Sequence, residues 1–152
     1  MMRIALYEPD IPQNAGNIFR LGACLGVSVD VIEPAGFVIN DKKFKRSAMD
    51  YINHLNYKKH ENWNAFYKWA INKKYRIVLL TTKSSKSYIN FTFYKSDILL
   101  FGRESAGVPD FIHDLVDNRL TIPMQPEARS LNLSSSVALV IGEALRQINL
   151  IN

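Results

Sequence analysis

Cysteine is almost missing from this sequence, with Cys24 the single example in 152 residues. An internal disulfide is thereby excluded, and a reducing cytoplasm is the expected setting. The three histidines, His54, His60 and His113, are scattered without the close ligand spacing of a zinc site, so no metal is expected. Nowhere does an apolar run reach the roughly 18 residues that a membrane helix needs. The opening MMRIALYEPD lacks the apolar core and small-residue cleavage site of a secretory signal. Neither secretion nor a membrane partner is therefore expected. No G-x-G-x-x-G and no G-x-x-x-x-G-K-[ST] occurs, which argues against an ordinary dinucleotide fold and against a P-loop NTPase. There is no G-x-S-x-G, and no histidine accompanies Ser130, so a serine hydrolase is remote. Internal repeats, low-complexity tracts and linkers are missing too.

What is present fits one domain spanning residues 1–152. A hydrophobic fraction of 47% and a charged fraction of 22% are those of a globular protein able to bury a sizeable core. The net charge of +5 is compatible with a polyanionic partner. Its distribution says more than its size. Asp41-Lys42-Lys43-Phe44-Lys45-Arg46 gathers four cations around one aromatic, and Lys58-Lys59-His60 follows. Cations engage phosphates, and an aromatic offers a stacking face to an unpaired base. Taken alone, the run fits a solvated helix face with Phe44 turned inward better than it fits a binding element.

Strand and helix patterns alternate along the chain. Arg3–Tyr7 is β-prone and stops at Pro9. Apolar spacing predicts a helix over Asn14–Leu25, closed by Gly26, and a strand over Val27–Ile32. Trp63–Ile71 has helical spacing. Arg76–Leu80 and Ile98–Phe101 are continuous apolar runs of the kind found in central parallel strands covered on both faces. Asp110–Val116 reads as a short helix and Leu120–Ile122 as a last short strand. Leu133, Val137, Val140, Ile141, Ala144, Leu145 and Ile148 make a broad apolar helical face, with Ser134, Ser135 and Ser136 available to cap its first turn. The pattern predicts an α/β domain with a mostly parallel sheet. Ligands in such sheets bind outside the carboxyl ends of the strands, so the loops there carry the functional interest.

Three blocks stand out. In Pro9–Arg20, the residues Asn14, Asn17 and Arg20 recur at three-residue spacing and share roughly one helix face. Taken alone, Asn14 reads as an N-cap and Arg20 as a surface cation. In Leu99–Pro109, an apolar strand runs into Gly102-Arg103-Glu104-Ser105-Ala106-Gly107. The glycines imply close backbone approach to something, or a tight turn, but a turn does not explain Glu104 so near a buried strand. In Ile122–Ser134, a proline-punctuated loop leads into a polar helix start, able to line an adenosine pocket through main-chain groups or simply to cap a helix.

Together these blocks resemble the three motifs of SPOUT RNA ribose 2′-O-methyltransferases: Asn14…Arg20, Phe101-Gly102-x-Glu104-x-x-Gly107, and Ile122-Pro123-Met124…Ser130-Leu131-Asn132-Leu133-Ser134. The match is closer to the small TrmL (YibK-like) subfamily, which methylates the wobble nucleotide of certain leucine tRNAs. Leu6-Tyr7-Glu8-Pro9, Ile32-Glu33-Pro34-x-Gly36-Phe37, Asp41-Lys42, Asp50-Tyr51 and Leu80-Thr81-Thr82-Lys83 are similar to it as well. The resemblance extends from residue 4 to about 147.

This resemblance implies an α/β-knot fold, a sheet flanked by helices whose C-terminal segment threads a loop as a trefoil knot, which general rules of chain connection would not lead one to expect. It implies S-adenosylmethionine held by Leu80, Gly102, Ile122 and Ser130, with Leu131 and Leu133 enclosing the adenine. Arg20 takes the place of the arginine that activates the ribose hydroxyl, while Asn14 and Asn132 orient groups and Glu104 fixes Arg20 or an asparagine. Lys42, Lys43, Lys45, Arg46, Arg103 and Arg129 are the expected RNA contacts. The implied partners are a tRNA anticodon stem-loop and a second copy of the chain, packed through the first and last helices; no DNA is expected. The chain departs from its relatives at Gly142 and Leu145, where they often carry tyrosine and tryptophan. It departs again at Arg103-Glu104-Ser105-Ala106, where Pro-Glu-Thr-Arg is common. Two alternatives stay open from sequence: a related enzyme acting on another tRNA or ribosomal RNA site, and a non-catalytic RNA-binding module.

Overall fold

Ile77–Leu79 and Ile98–Phe101 are apolar at consecutive positions because neither face of either strand meets water. The computed structural model, which describes residues 1–39 and 41–148, places them at the centre of the sheet. In chain order the elements are β1 (Arg3–Tyr7), α1 (Pro12–Leu25), β2 (Ser28–Ile32), α2 (Lys42–Ala48), a 3-10 segment Met49–His54, β3 (Tyr57–His60), α3 (Trp63–Asn72) and β4 (Arg76–Leu80). A short 3-10 turn Tyr88–Asn90 follows, then β5 (Asp97–Phe101), α4 (Asp110–Leu115), β6 (Asn118–Leu120) and α5 (Leu133–Gln147). The six strands lie in the order β3-β2-β1-β5-β4-β6, and every pairing is parallel.

Parallel neighbours need crossovers, and the crossovers cover both faces. Ile4, Leu6, Val29, Val31, Val78, Leu99 and Phe101 point into a core shared with Ile18 and Phe19 of α1, Phe44 of α2, and Val137 and Ile141 of α5. The alternate residues Ala5, Tyr7, Ile77, Leu79, Ile98 and Leu100 meet Trp63 and Phe66 of α3 and Ile112 of α4. Two carboxylates are fully buried in the sheet, and both are paired, as burial of charge demands. Asp30 accepts from Arg3 at 2.6 Å and contacts His60 Nε2 at 2.8 Å. Asp97 accepts from Arg76 Nε and Nη2, each at 2.7 Å, and from the Tyr94 amide at 2.8 Å.

Several expectations need correction. Helix α1 begins at Pro12, where a missing N–H costs nothing. Its N-cap is Ile11 without a side-chain bond, so Asn14 is an inward-facing residue of the first turn and caps nothing. Helix α5 is capped by Asn132, whose side chain accepts from the Ser134 and Ser135 amides; the serine hydroxyls do not perform this role. The last strand ends at Leu120, two residues before Ile122, because Thr121 instead bridges Ser87. Phe44, by contrast, turns inward as the charge run alone suggests: it is fully buried, edge-on to Phe19 with centroids 5.0 Å apart and stacked with Phe37 at 5.9 Å, so it offers no face to a base. Strand β3 was not foreseen. It sits at the sheet edge with Lys58 and Lys59 exposed, a charged border that discourages strand addition.

Two glycines sit in opposite circumstances. A Cβ on Gly16 would lie 2.5 Å from Ser47 Cβ and 2.7 Å from the Phe44 carbonyl oxygen, so α1 and α2 touch only because it is absent. A Cβ on Gly142 would meet nothing within 4 Å. Leu145, in contrast, is buried in the chain's own core. Gly16→Ala is therefore expected to cost about 1–3 kcal/mol in urea unfolding, through overpacking. Gly142→Ala should gain about 0.5–1 kcal/mol from helix propensity. A loss at Gly142 that depends on protein concentration would instead place a second copy against that position.

Candidate active site

The winding of the chain reverses between β1 and β5. Helix α1 leaves β1 on one face, α4 leaves β5 on the other, and the loops above the two strands diverge to leave a crevice. Leu6 pairs with Phe101, so the segments that follow, Glu8–Ile11 and Gly102–Val108, start side by side.

The second segment is a closed turn. Arg103 donates its amide to the Gly107 carbonyl at 2.9 Å, and Gly107 returns one to Arg103 at 2.8 Å. A Cβ on Gly102 would sit 2.6 Å from the Gly107 backbone, while Gly107 itself has φ +64°. The glycines thus answer to the turn, and what approaches Gly102 closely is Gly107. This turn holds the Glu104 carboxylate at the crevice. One oxygen accepts the Asp10 amide at 2.9 Å; the other faces Asn14 Nδ2 at a longer 3.5 Å. The Asn14 carbonyl oxygen accepts from Asn132 Nδ2 at 3.0 Å, and Asn132 Oδ1 accepts the Ser134 amide at 2.9 Å. A continuous polar relay therefore runs from the loop after β1, through Glu104 and α1, to the first turn of α5.

Beside the relay lies a cavity of about 520 Å³ over the carboxyl ends of β4, β5 and β6. Leu80, Gly102, Ile122, Ser130, Leu131 and Leu133 all stand on its wall, with Asn14, Glu104, Asn132, Arg103 and Arg129. Arg20 does not. It is exposed on α1, its guanidinium over the Tyr51 ring at 5.5 Å, and it makes no ion pair among the described residues. Lys42, Lys43, Lys45 and Arg46 are exposed on α2, away from the cavity.

Three residues at the site, Glu8, Asp10 and His113, had no role in the sequence reading. Arg103 is held by Asp10 at 2.8 Å and lies 3.6 Å from Glu8. Partial burial pushes the Asp10 carboxyl up, but hydrogen bonds from Ser105 and Arg103 outweigh it and leave the group below its ordinary value. His113 stands at the far wall, its Nε2 3.0 Å from Thr81 Oγ1 and its buried Nδ1 without a partner among the described residues. Acidic Glu8 and Asp10 facing a basic Arg103 is a signal that becomes visible only once β1 and β5 are known to be neighbours. Among the described residues no cluster of three or more His, Cys, Asp or Glu stands ready for a metal ion.

The family described as SpoU rRNA methylase matches residues 1–142. The chain belongs to that family. A relative in Beijerinckia indica subsp. indica, named tRNA (cytidine(34)-2′-O)-methyltransferase, is 52% identical over 145 residues, 95% of this chain and 91% of its own length. One of the same name in Escherichia coli K12 is 40% identical, covering 97% of this chain and 94% of its own. A solved structure described as giving structural insights into the 2-OH methylation of C/U34 on tRNA superposes with a TM-score of 0.93 at 37% identity, over 98% of this chain and 97% of that one. The SpoU methyltransferase AviRb from Streptomyces viridochromogenes, at 24% identity and a TM-score of 0.90, shares the fold over 60% of its length.

Asn132 serves two purposes, and two substitutions separate them. Asn132→Asp keeps the cap, since a carboxylate accepts the same amides, so its cost in unfolding is confined to the lost bond to Asn14, about 0.5–1.5 kcal/mol. It removes the donor to Asn14; whichever way the Asn14 amide turns, one link of the relay is lost, and methyl transfer should fall. Asn132→Ala should additionally cost about 1 kcal/mol in thermal or urea unfolding.

Proposed function

We propose that this chain transfers a methyl group from S-adenosylmethionine to the ribose 2′-oxygen of the wobble nucleotide of tRNA, a C or modified U at position 34, with leucine tRNAs as the substrates. It does so as a single domain spanning residues 1–152, acting in the cytoplasm as a homodimer on the anticodon stem-loop. The observation that carries this reading is that six dispersed cofactor positions and the Glu104–Asn14–Asn132 relay meet at one cavity. The chain's relatives named for cytidine-34 methylation match it over nearly its whole length.

The cavity fits the cofactor. About 520 Å³ lies within the roughly 300–1,000 Å³ of small-molecule sites. Its lining combines apolar Leu80, Ile122, Leu131 and Leu133 with Gly102 and the polar Ser130. S-adenosylmethionine, when bound, supplies a methyl already activated by its sulfonium. Because the donor is activated, the protein's share is largely to position the ribose. Asn14 and Asn132, locked to each other and to Glu104, present fixed polar edges there. A guanidinium is a hydrogen-bond donor with no acceptor, so Arg20 does not serve as the base. Its role is therefore to stabilise charge developing on the 2′-oxygen and to grip an RNA phosphate, which accepts the proton.

Arg20 lies six residues beyond Asn14 on one helix, about 9 Å along its axis. RNA reaching both must cross α1, and α2 with its cations packs beside α1. The homodimer interface is assigned to α1 and α5, where Leu139 is exposed and Gly142 faces open space. No helix among the described residues is long and apolar enough to cross a membrane.

Incubation with labelled S-adenosylmethionine and bulk tRNA, followed by mapping of 2′-O-methyl groups, tests the reading. Methyl at position 34 is the expected outcome. Methyl at another tRNA position or in ribosomal RNA makes this a related methyltransferase, and RNA binding without transfer makes it a binding module. Arg20→Ala should lower transfer by about 100-fold or more, the scale of losing a charge-stabilising donor, with affinity for S-adenosylhomocysteine retained. Neutralising Lys42, Lys43, Lys45 or Arg46 should each reduce the log–log salt slope of tRNA binding by about one where the side chain contacts a phosphate.

A further inference from the structure

Asp10 holds more of the site than any residue assigned to it so far. Its carboxylate accepts Arg103 Nε at 3.0 Å and Nη2 at 2.8 Å on one oxygen, and Ser105 Oγ at 2.5 Å and the Ser105 amide at 3.2 Å on the other. Its own amide donates to Glu104 at 2.9 Å. Three consecutive residues of the turn over β5 thus bind one residue of the loop over β1. That loop is itself braced. Glu8 takes a left-handed φ of 42°, a conformation that a side-chain-bearing residue keeps only where its surroundings hold it. Gly36 donates to the Pro9 carbonyl at 2.9 Å, and a Cβ on Gly36 would lie 3.2 Å from Asp10 Cα.

We propose that Asp10 is a positioning residue, a carboxylate latch that fixes the turn Gly102–Gly107, and through it Glu104 and one wall of the cofactor cavity, and that Arg103 is part of this latch and is not an RNA contact. This rests on the reading of the cavity as a methyl-donor site. An exposed ion pair alone would count for little. Here the carboxylate takes up four donors from two residues, and Arg103 stands as one cation among Asp10, Glu8 and Glu104, a local balance that does not attract phosphate. Of the two arginines on the cavity wall, Arg129 is left to face RNA.

The test uses the full chain with Asp10→Asn, Asp10→Ala, Arg103→Gln and the Asp10→Asn/Arg103→Gln double variant. Calorimetric titration with S-adenosylhomocysteine should show each single change weakening affinity about tenfold, the scale of a lost charge-assisted hydrogen bond. The double variant should be no weaker than the worse single one, because the two side chains act as a unit. The salt slope of tRNA binding should not move in Arg103→Gln. Amide exchange at Arg103 and Gly107, whose N–H groups close the turn, should accelerate in Asp10→Asn while β5 stays protected; this readout needs neither ligand nor a stable Asp10→Ala. Unchanged exchange at the turn, unchanged S-adenosylhomocysteine affinity in the Asp10 variants beside a binding wild type, or a salt slope lowered by about one in Arg103→Gln overturns the latch. A wild type that fails to bind S-adenosylhomocysteine, with exchange at the turn still responding to Asp10→Asn, leaves the latch standing and rejects the methyl-donor reading instead.

Discussion

The parallel pairing of β1 with β5, in the register that sets Leu6 beside Phe101, is the interaction on which the rest of the molecule hangs. Those strands are far apart in sequence, and the chain completes one half of the sheet before β5 enters between β1 and β4. The pairing then does three things at once. It divides the helices between two faces, with α1 and α5 on one and α4 on the other. It opens a crevice where the two loops part. It also sets an acidic loop, Glu8 to Asp10, against a turn carrying Arg103 and Glu104.

Polar groups at that crevice satisfy one another before any ligand arrives. Asn14 is buried, and both ends of its amide are engaged, one by Glu104 and one by Asn132. A buried amide left unpaired is costly, so neither asparagine is easily replaced. Asn132 in addition terminates α5, which makes the start of the last helix and the orientation of the site a single structural fact. A surface with its side chains already fixed loses less freedom on binding, and positioning of this kind suits chemistry in which the methyl donor arrives activated.

Much of the fold was legible in periodicity. The apolar runs of β4 and β5 and the seven-residue stripe on α5 carry the signal of burial in the residues themselves. What escaped was set by neighbours. Strand β3 is short and charged, and its extended shape comes from pairing with β2 at the sheet edge, which no local pattern announces. The serines at the start of α5 looked like caps, but Asn132 stands one position before the helix, where a side chain reaches the free amides. The site blocks were visible as a combination and silent singly. The partner of Arg103 was invisible because Asp10 lies 93 positions away along the chain.

Helix α1 carries Asn14 at the cavity and Arg20 over Tyr51, in one unbroken run of backbone hydrogen bonds. A helix of this kind is a ruler with a phase as well as a length. Each residue advances about 1.5 Å and turns about 100°. The separation and relative bearing of the two side chains are therefore properties of a residue count, insensitive to most side-chain changes between them. An insertion or deletion of one residue between positions 14 and 20 would swing Arg20 by more than a quarter of a turn while leaving the cavity wall intact. The length of α1 is consequently constrained along its whole span, and its composition where it is buried: at Asn14, at Ile18 and Phe19 in the core, and at Gly16, where α2 presses on the backbone.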